Sequence, residues 1–390
     1  MNMLRSGLLM AMVVLTATVC PAGADPGVTD TEIVIGSCAA LEGPASFLGT
    51  QTVLGARAYL NVVNGQGGVH GRKIQLVSRN DGYEPVKAIA CVNQLIQHDK
   101  VFAMGFFVGT PTGAKVVPMA EAHQVPAIGF FTGAEILRTP VRRNVIHVRA
   151  SYYDEARAQI DILVGTLGMK KIAVFYQEDA FGVAVLEGVK IALRKYNLEP
   201  VALGTFPRNT MDVAKGLEQI KPARPEAVVM VGTYAPLAEF VKRARADKWT
   251  SQFLTVSFVG TEAFAKAAGK DGDGVIITQV VPPPIRTDLP AVAQYMAALK
   301  KYFPEATPNF VSLEGFVDAI VLVEGLKRAG RDLSREKLLT AIEGIRDFDL
   351  GIGMKATYSS TRHHAFDAVY YTILRDGQPI IVADWKLVKK

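Results

Sequence analysis

Reactive chemistry is scarce in this chain. Its 390 residues include three cysteines, six histidines and two tryptophans. Cys20 falls in the N-terminal segment. That leaves Cys38 and Cys91, too few for a cysteine-based metal site. There is no G-x-S-x-G, no Walker A loop and no H-E-x-x-H, so the usual signatures of serine hydrolases, P-loop nucleotide binders and zinc peptidases are missing. The histidines are scattered, and His363 and His364, being adjacent, cannot share a helix face and read as solvated. The glycines of GQGGVHG (65–71) follow a helix-like stretch and precede a strand, the reverse of a dinucleotide fingerprint. KDGDG (270–274) lacks the long ligand loop and closing glutamate of a calcium site and reads as an exposed turn. The formal charge of +6 is spread along the chain without a block of one sign. Such a distribution favours solubility over a nucleic-acid surface. Beyond residue 24 no apolar run is long enough to span a bilayer.

What is present begins with MNMLRSGLLMAMVVLTATVCPAGA (1–24). Arg5 precedes an apolar stretch from Leu8 to Val19, and Ala22-Gly23-Ala24 is a small-x-small pattern. This predicts a secretory signal peptide cut before Asp25 and a periplasmic mature chain. A lipoprotein reading through Cys20 is disfavoured because Ala17-Thr18-Val19 lacks the small residue wanted directly before the cysteine. An oxidising compartment permits a Cys38–Cys91 bridge, and two buried free thiols fit the sequence equally.

The mature chain is too long for one small core and predicts two domains. Strand-like and helix-like segments alternate along it. IVIGSCAAL (33–41), KIQLVS (73–78), the run from Val101 to Val108 and PAIGF (126–130) are short apolar strands. Helical spacing falls between them, at 54–63 and 84–97. The pattern restarts after Asn144, with strands at 171–176, 201–206, 227–231, 253–257 and 275–281, and a hairpin is predicted through Asp376-Gly377. Such alternation means α/β lobes, each a mostly parallel sheet flanked by helices. Ligands of such sheets bind at loops on the carboxyl ends of the strands. Two of these loops stand out: GFFVGTPTGA (105–114) and TGAE (132–135). Each places small residues and a threonine at a helix start, where free N–H groups and the helix dipole favour an anion. Ordinary capping is the competing reading of Thr110 and Thr132.

The ordered set of motifs resembles the branched-chain-amino-acid-type solute-binding proteins of ABC importers. It comprises Glu32-Ile33-Val34-Ile35-Gly36, Gly43-Pro44-Ala45, Gly49, Gly55-Ala56, Asn64-Gly65-Gln66-Gly67-Gly68, PVKAIACVNQLI, VPAIG, DAFGVAVLEGVKIAL, AVVMVGTYAPLAEFVKRARA and GFVDAIVLVEGLKRAG, and it covers almost the whole mature chain. The resemblance implies a two-lobed type I periplasmic-binding fold with three crossover segments. By that analogy residues 25–149 plus 283–347 form the N-terminal lobe and 150–282 plus 348–390 the C-terminal lobe. It also implies a cleft that closes on a small ligand by hinge motion, no catalysis, no cofactor and no metal. An ABC permease in the inner membrane is the implied partner, nucleic acid is not, and the chain is expected to act as a monomer. A sensor subunit of a membrane receptor with the same fold is the alternative.

Carried over residue by residue, the resemblance assigns the ligand carboxylate to Gly109, Thr110, Thr132 and Gly133. Leu48 stands where an aromatic is common, Phe181 where a tyrosine is usual, and Ser257 where a glutamate usually helps hold an ammonium group. Tyr153, Asp154 and Tyr234 complete the expected second-lobe contacts, and Phe107, Phe130 and Phe258 are candidates for an apolar wall. The loss of the glutamate at Ser257 argues against an amino-acid ligand, because a buried ammonium without a carboxylate is costly. A carboxylate with an aromatic or aliphatic body is expected instead.

Overall fold

The computed structural model describes residues 25–382 and Trp385; the expected signal peptide (1–24) lies outside the described residues. The first sheet contains β1 (Glu32–Ala39), β2 (Lys73–Asn80), β3 (Ala103–Val108), β4 (Ala127–Phe131) and β5 (Val145–Ile146), in the order β2-β1-β3-β4-β5. All its pairings are parallel. The connections are α1 (Ser46–Gly65), α2 (Pro85–Asn93) and α3 (Thr110–Ala122). The chain then crosses over and builds a second lobe on α4 (Tyr152–Ile160), β6 (Ile172–Gln177), α5 (Ala180–Arg194), β7 (Leu203–Phe206), α6 (Ala214–Ile220), β8 (Ala227–Val231), α7 (Tyr234–Ala246), β9 (Gln252–Thr255), α8 (Thr261–Ala268) and β10 (Ile276–Gln279).

Both sheets are covered on both faces, which is why their strands read as continuous apolar runs. Period-2 alternation still sorts the side chains. Ile172 and Val174 of β6 pack with α4 and α5, whereas Ala173 and Phe175 pack with α6, α7 and α8.

After β10 the chain returns to the first lobe with α9 (Pro290–Tyr302), α10 (Phe310–Ala329) and α11 (Arg335–Glu343). Helix α10 is apolar nearly all round and is correspondingly buried along most of its length. It lies against α1 so closely that a Cβ at Gly55 would fall 1.7 Å from the Ser312 carbonyl oxygen. A small ribbon follows, β11 (Phe348–Asp349) with β12 (Lys355–Ala356). The segment 348–366 was expected in the second lobe. Here Leu350, Ile352, Met354, Tyr358 and Phe366 bury themselves with α9 and α10 in the first-lobe core. The return to the second lobe comes later, with the hairpin β13 (Tyr370–Arg375) and β14 (Gln378–Ile381), whose first strand pairs antiparallel with β10. The second sheet runs β14-β13-β10-β9-β8-β6-β7.

Cys38 on β1 and Cys91 on α2 are joined in a disulfide with a Cα–Cα distance of 6.1 Å. Val92, Leu95 and Met104 surround it on the α2–α3 face of the first sheet.

Candidate functional site

The carboxyl ends of both sheets meet in a closed cleft. At its first-lobe side β3 ends at Val108, and Gly109 turns the chain into α3 with φ 96°. A side chain at Gly109 would strike the ring of Tyr83, 2.1 Å from the position of a Cβ, so glycine is required twice over. Helix α3 has no side-chain N-cap. The Thr110 hydroxyl instead meets the Thr132 hydroxyl at 2.7 Å, across from the end of β4, and both residues are fully buried. For Thr110 this geometry departs from the capping reading, since the N–H groups of the first turn of α3 are left without a capping side chain; Thr132 keeps part of that role, its hydroxyl accepting the Ala134 N–H at 3.4 Å. Gly133 lies against the start of α4, where its carbonyl accepts the Tyr152 N–H at 2.7 Å. The Tyr152 hydroxyl sits beside Thr132, buried and without a hydrogen-bond partner of good geometry. Burial raises its pKa well above that of an ordinary phenol, so it remains a neutral donor.

The second lobe contributes an aromatic wall. Phe258 lies 4.5 Å from Phe181, 5.3 Å from Phe131 and 6.0 Å from Tyr83, centroid to centroid, and Phe181 lies 5.3 Å from Tyr152. Lobe-to-lobe hydrogen bonds hold the cleft shut. Gln177 donates to the Tyr83 hydroxyl at 3.2 Å, Arg208 and Asn209 reach Glu84 at 2.8 and 2.6 Å, and the Phe310 N–H reaches Glu262 at 3.1 Å. Leu48 is buried against Gly260, and Phe47 meets Tyr234 edge-on at 6.0 Å.

Beneath the wall lies a buried ionic cluster. Arg149, in the first crossover, reaches Glu155 at 2.7 Å and Glu314 of α10 at 3.2 Å, and it donates to Ser257. Glu155 also accepts from the Ser257 N–H at 2.8 Å, from the Ser257 hydroxyl at 2.9 Å and from Thr278. The Arg149 guanidinium lies 5.6 Å from the Phe131 and Tyr152 rings. Burial works against its charge, but Glu314 and Glu155 outweigh burial and hold its pKa above the ordinary value. The second acid near the cleft, Asp179, is also engaged: it caps α5 through the Phe181 and Gly182 N–H groups and accepts from Gln177 at 2.6 Å.

The structure thus brings together Leu48, Gly109, Thr110, Thr132, Gly133, Phe181 and Ser257, with Tyr234 at the rim. Tyr153 and Asp154 lie elsewhere. Asp154 forms a capping box with Ser151 and pairs with Arg157 at 2.7 Å, and both residues line a separate cavity near the hinge. The tyrosine that enters the cleft is Tyr152, one position earlier, because the Ser151 cap fixes the phase of α4. Phe107 and Phe130 stack on each other at 5.0 Å within the α3-side core, away from the cleft. His363, expected to be solvated, is buried and faces the Arg142 and Val145 carbonyls and Glu343. Tyr83, Phe131, Arg149, Glu155 and Gln177 escaped the sequence reading. Only the SYYDE start of α4 could have signalled any of them; Tyr83 stands in the polar turn RNDGYEP (79–85).

Two buried acids carry a pH prediction. Asp81, under Tyr83, is pushed up to about 6 by burial, against the hydrogen bond from the Tyr83 N–H. Glu314 is pushed up to about 7 by burial, with Arg149 opposing and the charge of Glu155 reinforcing the rise. A raised native pKa means that the folded form keeps protons the unfolded chain has lost, so stability falls as pH rises from about 4 to about 7. Asp367, held at about 2 by the His364 hydrogen bond and by Arg362, acts in the opposite sense only in more acid solution; His147, whose neutral form burial favours, also opposes the trend below about pH 6.5 but does not cancel the two acids together. Melting should therefore occur at higher temperature near pH 5 than near pH 7.5, and Asp81→Asn should remove about 1.4 kcal/mol of that difference.

The chain belongs to the periplasmic binding protein family, which it matches over residues 32–378. A possible leucine/isoleucine/valine-binding protein from Rhodopirellula baltica is 32% identical and superposes with a TM-score of 0.88, covering 95% of this chain and all of that one. A substrate-binding periplasmic protein from Ralstonia solanacearum is 28% identical with a TM-score of 0.85, over 90% of this chain and all of that one. An amino acid binding protein from Pseudomonas aeruginosa is 26% identical over 68% of this chain and 72% of its own length. These relatives are binding proteins. Among the described residues no helix is long and apolar enough to cross a membrane.

Proposed function

We propose that this protein captures a small carboxylate with an aromatic or aliphatic body, in preference to an amino acid, and delivers it to an ABC permease. The observation that supports the reading most is the cleft's polarity. Donors sit on the first-lobe side, where the hydroxyls of Thr110 and Thr132 and the partnerless hydroxyl of Tyr152 lie near the open first turn of α3. Opposite them stand the rings of Phe181 and Phe258. Two carboxylates beside the cleft, Glu155 and Asp179, are already engaged by internal donors, and burial favours the neutral form of Asp81 beneath Tyr83. An ammonium group entering there would lose its hydration and gain no ionic partner, whereas a carboxylate finds several donors.

This departs from the amino-acid names of two of the relatives, and the departure rests on Arg149. That residue supplies from within the chain a cation for Glu155. The test is a binding screen of refolded mature protein against aromatic and aliphatic acids, amides and branched-chain amino acids, read by thermal shift. Saturating ligand should raise the melting temperature by several degrees. Thr110→Val should weaken the best carboxylate about tenfold or more by removing one donor to a charged group, while Thr110→Ser should retain most of the affinity. A screen in which only amino acids shift the melting point would reject the reading.

A further inference from the structure

The hinge holds a second polar space, partly open to solvent and separate from the cleft. A cavity of about 300 Å³ is walled by the segment before the first crossover (135–147), by the start of α4 and by residues 361–367. Arg138, Arg142 and His147 contribute to its lining, and each leaves a buried nitrogen without a partner: Arg138 Nε, Arg142 Nε and His147 Nδ1. Arg138 is 7% exposed and His147 1%. One amino group of the Arg138 guanidinium donates to the Arg149 and Ala150 carbonyls, at 3.0 and 3.3 Å. Among the described residues no carboxylate lies within ion-pairing distance of Arg138. A buried guanidinium left in that condition is costly.

The acids around the space are otherwise occupied. Asp154 is held by Ser151 and Arg157, and Asp367 by Arg362 at 3.0 Å and His364 at 2.8 Å. Arg142 pairs with Glu121 through its other nitrogen at 2.5 Å. Glu135 accepts a hydrogen bond from Thr139.

His147 adds a specific demand. Its Nε2 faces the Leu137 carbonyl at 3.1 Å, and a carbonyl only accepts, so that nitrogen carries the proton. Burial keeps the ring neutral at ordinary pH, with the neighbouring Arg138 acting in the same direction. Nδ1 is therefore a lone pair in want of a donor. Two N–H donors and one acceptor left without partners on residues that line one cavity call for a ligand that accepts from arginine and donates from a hydroxyl.

We propose that the hinge cavity binds a small oxyanion bearing a hydroxyl, of the kind represented by hydrogen phosphate or bicarbonate. The His147 backbone N–H is bonded to the His363 carbonyl at 2.8 Å, so the site spans two of the three segments of chain that pass between the lobes, and an ion bound there braces them in their present geometry.

The test titrates the full mature chain with inorganic phosphate, bicarbonate, sulfate or chloride at matched ionic strength, following melting temperature and the phosphorus resonance of phosphate. Phosphate and bicarbonate should stabilise saturably, with sulfate, which lacks a hydroxyl near neutral pH, clearly weaker and chloride without specific effect. Arg142→Gln, at a half-buried position, should weaken phosphate about tenfold or more while leaving the cleft ligand's affinity unchanged. Arg138→Met should abolish the phosphate response, and if that variant fails to fold the Arg142→Gln result decides alone. Thr110→Val should retain the phosphate response. Equal stabilisation by chloride, an equal response to sulfate, no saturable response, or a response lost in Thr110→Val but kept in Arg142→Gln would each overturn the proposal.

Discussion

Replacing Arg149 by methionine should lower the melting temperature by roughly 10 °C, corresponding to a loss of about 3–5 kcal/mol. The size follows from what remains behind. Glu155 and Glu314 are both buried, and Arg149 is the cation that reaches each of them. Without it, two carboxyl groups face each other in a dry interior, and one or both must take up a proton. Adding Glu155→Gln and Glu314→Gln to the methionine variant should restore a large part of the loss, since the penalty lies in uncompensated charge and much less in lost packing. Thermal melts of the single and triple variants separate the two causes. The ligand screen on the same proteins carries a second readout: with Arg149 gone, Glu155 is released towards Ser257, and leucine or phenylalanine should bind more tightly relative to their deaminated counterparts.

Breaking the Cys38–Cys91 bridge should cost nearly as much. The bridged cysteines are separated by 53 positions, and closing a loop of that length restricts the unfolded chain by about 4 kcal/mol. Both sulfurs lie in a packed layer with Ala88, Val92 and Leu95, so the double alanine variant adds a small cavity to the entropic loss. The melting temperature of the wild-type protein should fall by roughly 10 °C in reductant, and Cys38→Ala/Cys91→Ala should melt low with or without it. A wild-type melt unaffected by reductant would mean that the thiols are free in solution. Ligand affinity should change little, because the bridge lies on the outer face of the first sheet, away from Thr110 and Thr132.

The architecture was legible wherever a segment was long and its period clear. β1, β2, β6 and β8 read as apolar runs because both faces of each sheet are covered. Helices α8, α9 and α11 went unread; they are short or flank proline-rich connections, and their partners come from distant parts of the chain. The family resemblance puts 348–366 in the second lobe, whereas its apolar side chains pack in the first-lobe core. Its assignment depends on where Leu350, Ile352 and Phe366 find apolar partners, which local pattern does not reveal. In the cleft, the residues at strand ends and helix starts were readable because backbone geometry constrains them to glycine and threonine. Tyr152 was missed by one position because the helix phase is set by the Ser151–Asp154 capping box. Glu155 was missed because its significance lies in Arg149, a residue whose role only the folded chain makes visible. The Cys38–Cys91 pairing was left open for the same reason, since β1 and α2 come into register only through the sheet.

One measurement bears most directly on the ligand: calorimetric titration of the refolded mature chain with matched pairs that differ only in the amino group, 4-methylpentanoate against leucine and 3-phenylpropanoate against phenylalanine. Refolding first removes any ligand carried through purification. With Thr110, Thr132 and Tyr152 receiving a carboxylate, and Glu155 and Asp179 already engaged, the deaminated member of at least one pair should bind at least about tenfold more tightly than its amino acid. Tighter binding of leucine or phenylalanine would show that the cleft finds an acid for the ammonium, and that the ionic cluster around Arg149 opens to provide it.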